Sequence, residues 1–205
     1  MKAELNKIDN GNHVLTASDV KTCTANTVAR SPIETDRLIL REIQITDVDA
    51  MFELDSDPEV HKYIDNEPVT SKEQIKEVIS FIQGQYRDKG IGRWAVVRKA
   101  DNRFIGWAGL KFEDEDFNGH GSHIDLGYRL TPKYWGHGYA TEAAKAWIDY
   151  AFQVMKTPIV CALVEKANTA SINVLEKVGM KATDAFVLDD KEHLWYEIRC
   201  KSKSK

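Results

Sequence analysis

The chain reads as an α/β (α+β) protein with a mixed, mostly antiparallel central sheet of six to seven strands and helices on both faces. Three observations predict this. Between residues 35 and 199 the hydrophobic period switches repeatedly between the helical and the strand value. Residues 93–130 hold three strand-like runs separated only by turns or a loop, the pattern of antiparallel neighbours. Residues 158–164 are almost wholly apolar, as in a strand covered on both faces.

The elements follow in order. Residues 1–30 are polar without a sustained period and read as a loosely ordered N-terminal extension, with room for a short strand around His13-Val14-Leu15-Thr16. A single domain is expected over 31–200, followed by a disordered tail at 201–205. The domain opens with a strand at 35–43, where Leu38, Leu40 and Ile43 accompany β-branched Ile39. Thr46-Asp47 is placed to cap a helix carrying Val48, Met51, Phe52 and Leu54. Asp57-Pro58-Glu59 starts a short helix with Pro in its first turn. Thr70-Ser71-Lys72-Glu73-Gln74 offers a capping box in either of two registers, opening a helix with Ile75, Val78, Ile79 and Ile82 on one stripe. That helix should stop near Lys89-Gly90.

Strands are then expected at 94–97 and 103–110, joined by a turn at Ala100-Asp101-Asn102. An acidic loop at Glu113-Asp114-Glu115-Asp116 leads to a strand at 123–130. A turn containing Gly136 and Gly138 feeds a helix marked by Ala140, Ala143, Ala144, Trp147, Ile148 and Ala151. After the apolar strand at 158–164, Asn168-Thr169-Ala170-Ser171 starts a helix with Ile172, Leu175 and Val178, ended by Gly179. A hairpin about Asp189-Asp190-Lys191 joins strands at 183–188 and 193–199.

Composition narrows the function classes. A chain of 205 residues can bury a real core. Net charge −4 and a pI near 5.9 leave no basic face for nucleic acid. Cys23, Cys161 and Cys200 are odd in number and far apart, so neither a disulfide framework nor a metal site is suggested, and a reducing compartment fits. No apolar run approaches the roughly 18 residues that span a bilayer, and the N-terminus lacks the apolar segment of a signal peptide. The expectation is a cytoplasmic protein with no nucleic-acid or membrane partner.

A glycine-containing turn before a helix leaves the first N–H groups unpaired, with the positive end of the helix dipole behind them. Such a spot binds phosphate, so Trp135 to Thr141 form a candidate pyrophosphate cradle; the same glycines would also serve a tight connection that only relieves backbone strain. A dinucleotide fingerprint is a poor match. Gly136-x-Gly138-x-x-Thr141 lacks its third glycine, and no acidic residue closes a following strand about 20 residues on.

Three stretches carry a family resemblance. Trp135-Gly136-His137-Gly138-Tyr139-Ala140 fits a Gln/Arg-x-x-Gly-x-Gly/Ala phosphate loop with Trp in the first position, followed by Thr141-Glu142-Ala143. Asn168-x-x-Ser171 runs on through Leu175-Glu176-Lys177-Val178-Gly179-Met180. The opening is Glu34-Thr35-Asp36-Arg37-Leu38-Ile39-Leu40-Arg41. On these motifs, residues from about 35 to 199 resemble the GNAT superfamily of acyl-CoA-dependent N-acetyltransferases, and look most like the branch that includes the ribosomal-protein N-terminal acetyltransferases. The resemblance implies a GNAT-like fold with acetyl-CoA as co-substrate and no metal. It implies an amine acceptor, most simply a protein or peptide α-amine, and a monomer or homodimer.

The same resemblance assigns the pyrophosphate to Trp135, Gly136, His137, Gly138, Tyr139, Ala140 and Thr141. It lays the pantetheine arm along the strand ending at Tyr128-Arg129-Leu130, which splays from the strand at 159–164, with the Asn168 carboxamide for the pantetheine amides and Ser171 for the cofactor or the thioester sulfur; Asn168 and Ser171 also suit helix capping. Asp125, and after it Glu165, are candidate proton acceptors for the amine, and each also reads as a structural polar residue. Leu175 stands where many members carry a proton-donating Tyr, which leaves Ser171, water or solvent to protonate the thiolate. The acidic run at 113–116 could draw a cationic acceptor or simply be solvated. Trp94, Trp107 and Trp195 read as core or groove wall. Rival readings are a small-amine acetyltransferase and a silent acyl-CoA-binding module.

Overall fold

Strands β1 (Ile33–Glu34), β2 (Leu38–Glu42), β3 (Arg93–Arg98), β4 (Arg103–Glu113), β5 (His123–Leu130), β6 (Ile159–Glu165), β7 (Lys181–Leu188) and β8 (Lys191–Arg199) form one sheet in the order β1-β2-β3-β4-β5-β6-β8-β7. They belong to a computed structural model that describes residues 31–64 and 67–201; the N-terminal extension with its strand near His13 and the tail at 202–205 lie outside the described residues. Every neighbouring pair is antiparallel except β5 with β6. The strand beyond the expected six to seven is β1. Its two residues pair with Leu40 and Ile39, a run too short to carry a periodic signal.

Among the described residues the strands are joined by the α-helices α1 (Val48–Asp55), α2 (Pro58–His61), α3 (Lys72–Asp88), α4 (Tyr139–Tyr150) and α5 (Thr169–Lys177). Register places them on both faces. Trp94, Ala108 and Tyr128 are cross-strand neighbours and share one face, where Trp94 meets Trp147 of α4 edge-on at 5.1 Å and Tyr128 reaches Ser171 of α5. Ala95, Trp107 and Arg129 share the other, where Arg129 pairs with Asp55 of α1 at 2.6 Å.

Local chemistry accounts for the helix starts. In α3 the Ser71 register of the capping box wins: Ser71 Oγ accepts the Gln74 N–H and Gln74 Oε1 accepts the Ser71 N–H. Ile75, Ile79, Ile82 and Tyr86 define its buried face, so Val78, expected on that stripe, stays 38% exposed. Asp47 precedes α1 as expected but caps nothing there. Its carboxylate instead takes both Nη groups of Arg41 at 2.7 Å and the Gln44 N–H at 2.8 Å. Glu113, expected in the acidic loop, is the last residue of β4 and pairs with Lys111. Asp189 and Asp190 both have positive φ, 49° and 61°, the two-residue turn that matches strand twist in the β7–β8 hairpin.

One irregularity positions the site. The parallel pair β5–β6 has a single register match, Asp125 with Cys161. Beyond it the strands part, and β5 runs on to Leu130 without a β6 partner.

Candidate active site

The turn after β5 builds the cradle. Pro132–Tyr134 form a 3₁₀ turn, Gly136 and Gly138 take φ of 76° and 80°, and Gly138 is the N-cap of α4. The first helical bond is Glu142 N–H to the Gly138 carbonyl at 3.0 Å. The N–H groups of residues 136–141 therefore donate to no acceptor among the described residues. A Cβ added at Gly136 would meet nothing within 4 Å, so the space in front of the turn is open. The positive φ of Gly136 and Gly138 suits glycine, and free amides ahead of a helix start are the chemistry that an anion site uses.

Trp135 is 47% exposed, and its one polar atom is committed, since Nε1 donates to the Leu130 carbonyl at 2.6 Å. That bond also uses the Leu130 carbonyl and fixes the entry to the turn. Leu130 itself is buried.

At the gap between β5 and β6, Asn168 is the N-cap of α5, and its Oδ1 accepts the Ser171 N–H at 3.1 Å. Its Nδ2 has no acceptor among the described residues. The Tyr128 hydroxyl lies 2.9 Å from both the carbonyl and the Oγ of Ser171, tying β5 to α5 across the gap. Burial raises the Tyr128 phenol well above its ordinary pKa, so it stays protonated as a hydrogen-bond donor. Leu175 is buried at 1% in the core.

The opposite face of the gap carries a polar row. Asp125, Cys161 and Glu197 are neighbours across β5, β6 and β8. The Asp125 carboxylate is held by Arg93, whose Nη1 also donates to the Asp125 carbonyl. A Cβ on Gly127 would come within 2.6 Å of the Arg93 guanidinium, so this glycine makes room for the pair. Glu197 accepts from Trp195 Nε1 at 3.2 Å and Arg199 at 3.0 Å. Burial first, then the charges of Glu197 and Asp125, push the Cys161 thiol up to about 12. Glu165 shares this face at the end of β6, paired with Lys191 at 3.0 Å. It lies about 13 Å along the strand from Cys161. The structure thus joins Tyr128 to Ser171 on one face and sets Asp125 and Glu165 apart on the other.

Glu197 gave no signal in the sequence, because its strand partner Cys161 is remote in the chain. Thr35, Arg37 and Glu142 were visible only as parts of motifs. In the structure Thr35 Oγ1 (2.5 Å), the Arg37 N–H (2.9 Å) and Arg37 Nε (2.6 Å) all donate to the Glu142 carboxylate. Among the described residues no cluster of three or more His, Cys, Asp or Glu could hold a metal, and no helix is long and apolar enough to cross a membrane.

Comparison with known proteins follows the geometry. Residues 37–181 match the acetyltransferase (GNAT) domain family. An uncharacterized N-acetyltransferase of Bacillus licheniformis is 33% identical over 72% of the chain and 80% of its own length. Spermidine N(1)-acetyltransferase of Escherichia coli is 27% identical over 68% of the chain and 70% of its own length. The crystal structure of a GNAT-family acetyltransferase from Bacillus anthracis superposes with a TM-score of 0.69 at 28% identity, covering 82% of this chain and 98% of that one.

Proposed function

The chain belongs to the acetyltransferase (GNAT) family, enzymes that move an acetyl group from acetyl-CoA to an amine, and from that premise we propose that its acceptor is the α-amine of a protein or peptide, as in the branch its motifs resemble. The observation that carries the acetyl-CoA part of the reading is the set of free N–H groups at 136–141 at the open end of the β5–β6 gap; the α-amine rests on the resemblance and on amine chemistry. Those amides would hold the pyrophosphate. The unpaired edge of β5 and Asn168 Nδ2 would hold the pantetheine amides. When bound, acetyl-CoA supplies an acyl thioester whose thiolate is the leaving group.

The remaining chemistry falls to the chain's own residues. An α-amine with an ordinary pKa of about 7.7–8.0 is partly neutral at pH 7, so a weak acceptor reached through water suffices. Asp125, fixed by Arg93, is the first such acceptor and Glu165 the second. Ser171, bonded to the Tyr128 hydroxyl, would donate a hydrogen bond to the thiolate. Direct attack in a ternary complex fits Cys161, because a buried thiol pushed up to about 12 is protonated at neutral pH and a poor acyl carrier.

Calorimetric titration with acetyl-CoA tests the donor. A folded protein that binds none would sink the reading. Peptides assayed beside small amines then test the acceptor, and turnover confined to the small amines would exclude the peptide. A polyamine is the second reading. It is favoured by the similarity to spermidine N(1)-acetyltransferase.

A further inference from the structure

A pyrophosphate carries formal negative charge, and the amides at 136–141 offer only partial charges to meet it. A cation at the turn would therefore contribute strongly. Lys133 is taken by Glu53 at 2.6 Å and Arg98 by Asp101 at 2.6 and 2.9 Å. Arg37 differs. It arrives from the start of β2, a hundred residues earlier in the chain, and lies against the turn with its guanidinium over the Tyr139 ring at 4.6 Å. Nε donates to Glu142 at 2.6 Å and Nη1 to the His137 carbonyl at 3.0 Å. Nη2 donates to no acceptor among the described residues, and it stands 3.5 Å from the position a Cβ would take on Gly138. The guanidinium is thus held through Nε and Nη1, with Nη2 left uncommitted beside Gly138 of the turn.

We propose that Arg37 is a cofactor-binding residue whose Nη2 donates to a phosphate of the acetyl-CoA nucleotide, and that Glu142 is a positioning residue that aims it. This rests on the acetyl-CoA reading above. The tether is tight: Glu142 also takes the Thr35 hydroxyl and the Arg37 N–H, so the β1–β2 connection and the first turn of α4 share one carboxylate. The charge that Trp135 cannot supply from within the loop is delivered across space from the β1–β2 connection.

The test is calorimetric titration of CoA and of dephospho-CoA into the wild type and into Arg37→Gln, Arg37→Lys and Glu142→Gln, each at low and high salt, with circular dichroism to confirm folding. Arg37→Gln is expected to weaken CoA binding on the order of tenfold or more and to flatten its salt dependence, because one ionic contact is lost. Arg37→Lys should recover part of the affinity. Glu142→Gln should cost less than Arg37→Gln and leave the salt dependence in place. A loss common to both nucleotides assigns the contact to the pyrophosphate, and a loss seen only with CoA assigns it to the 3′-phosphate. Equal losses in Arg37→Gln and Glu142→Gln with unchanged salt dependence would overturn the proposal in favour of a purely structural clamp. So would an Arg37→Gln protein that binds CoA as the wild type does. Wild-type protein that binds no CoA would instead remove the acetyl-CoA reading beneath it.

Discussion

Cys161 shows how a residue's chemistry is set by strands it does not belong to. It lies between Asp125 on β5 and Glu197 on β8, and burial followed by these two charges holds its thiol up to about 12. Cys200 is exposed at the end of β8. Alkylation of native protein by iodoacetamide at pH 7.5 should therefore modify Cys200 and spare Cys161 until the protein unfolds. Peptide mapping that finds Cys161 labelled at the rate of Cys200 would contradict this placement. The identity of Asp125 was legible in the sequence as a carboxylate before Gly127-Tyr128. Its attachment to Arg93 was not, because the two lie 32 positions apart and meet only through the β3–β4–β5 register.

At the scale of elements, glycines mark where the backbone is constrained and where it is free. Gly106 lies in β4 opposite the irregularity between Val96 and Val97, with φ 147°, and a Cβ there would stand 2.1 Å from the Arg129 carbonyl oxygen on β5. Gly106→Ala should destabilise the protein by at least about 2 kcal/mol. Gly84 is the contrasting case, inside α3 with only the end of the Arg87 side chain at 3.7 Å. Gly84→Ala should stabilise by up to about 1 kcal/mol, through helix propensity and unfolded-state entropy. Urea denaturation of the two variants checks both signs, and a neutral Gly106→Ala would refute the close approach of β4 to β5. Helix starts were the most legible elements, since caps at Asp57, Ser71 and Asn168 act within a few residues. Val78 was misplaced on the buried stripe because a helical period marks a broad face, and packing against the sheet selects which edge of it is covered.

For the whole molecule, the parting of β5 from β6 leaves backbone groups and the amides of 136–141 waiting for a partner. A ligand that binds only the folded state raises its stability by mass action, about 2.7 kcal/mol at a hundredfold excess over Kd. For a chain of this size that corresponds to roughly 5–10 °C in Tm. Differential scanning calorimetry with acetyl-CoA should show this shift, and its absence at saturating ligand would mean that the gap is not the donor site.

The sequence by itself determined the order of the helices and of the strands from β2 onward, the glycine turn at 136–138, the capping of α5 by Asn168 and the family resemblance. Each of these depends on neighbours within a turn or two of chain. The parting of β5 from β6 was implied by the resemblance, and the structure sets it after Asp125. Only the tertiary structure decided that Tyr128 meets Ser171, that Arg93 occupies Asp125 and that Arg37 and Glu142 converge beside the cradle. Those contacts join positions from about thirty to more than a hundred residues apart, and local propensity holds no record of which remote side chain a strand register will bring alongside.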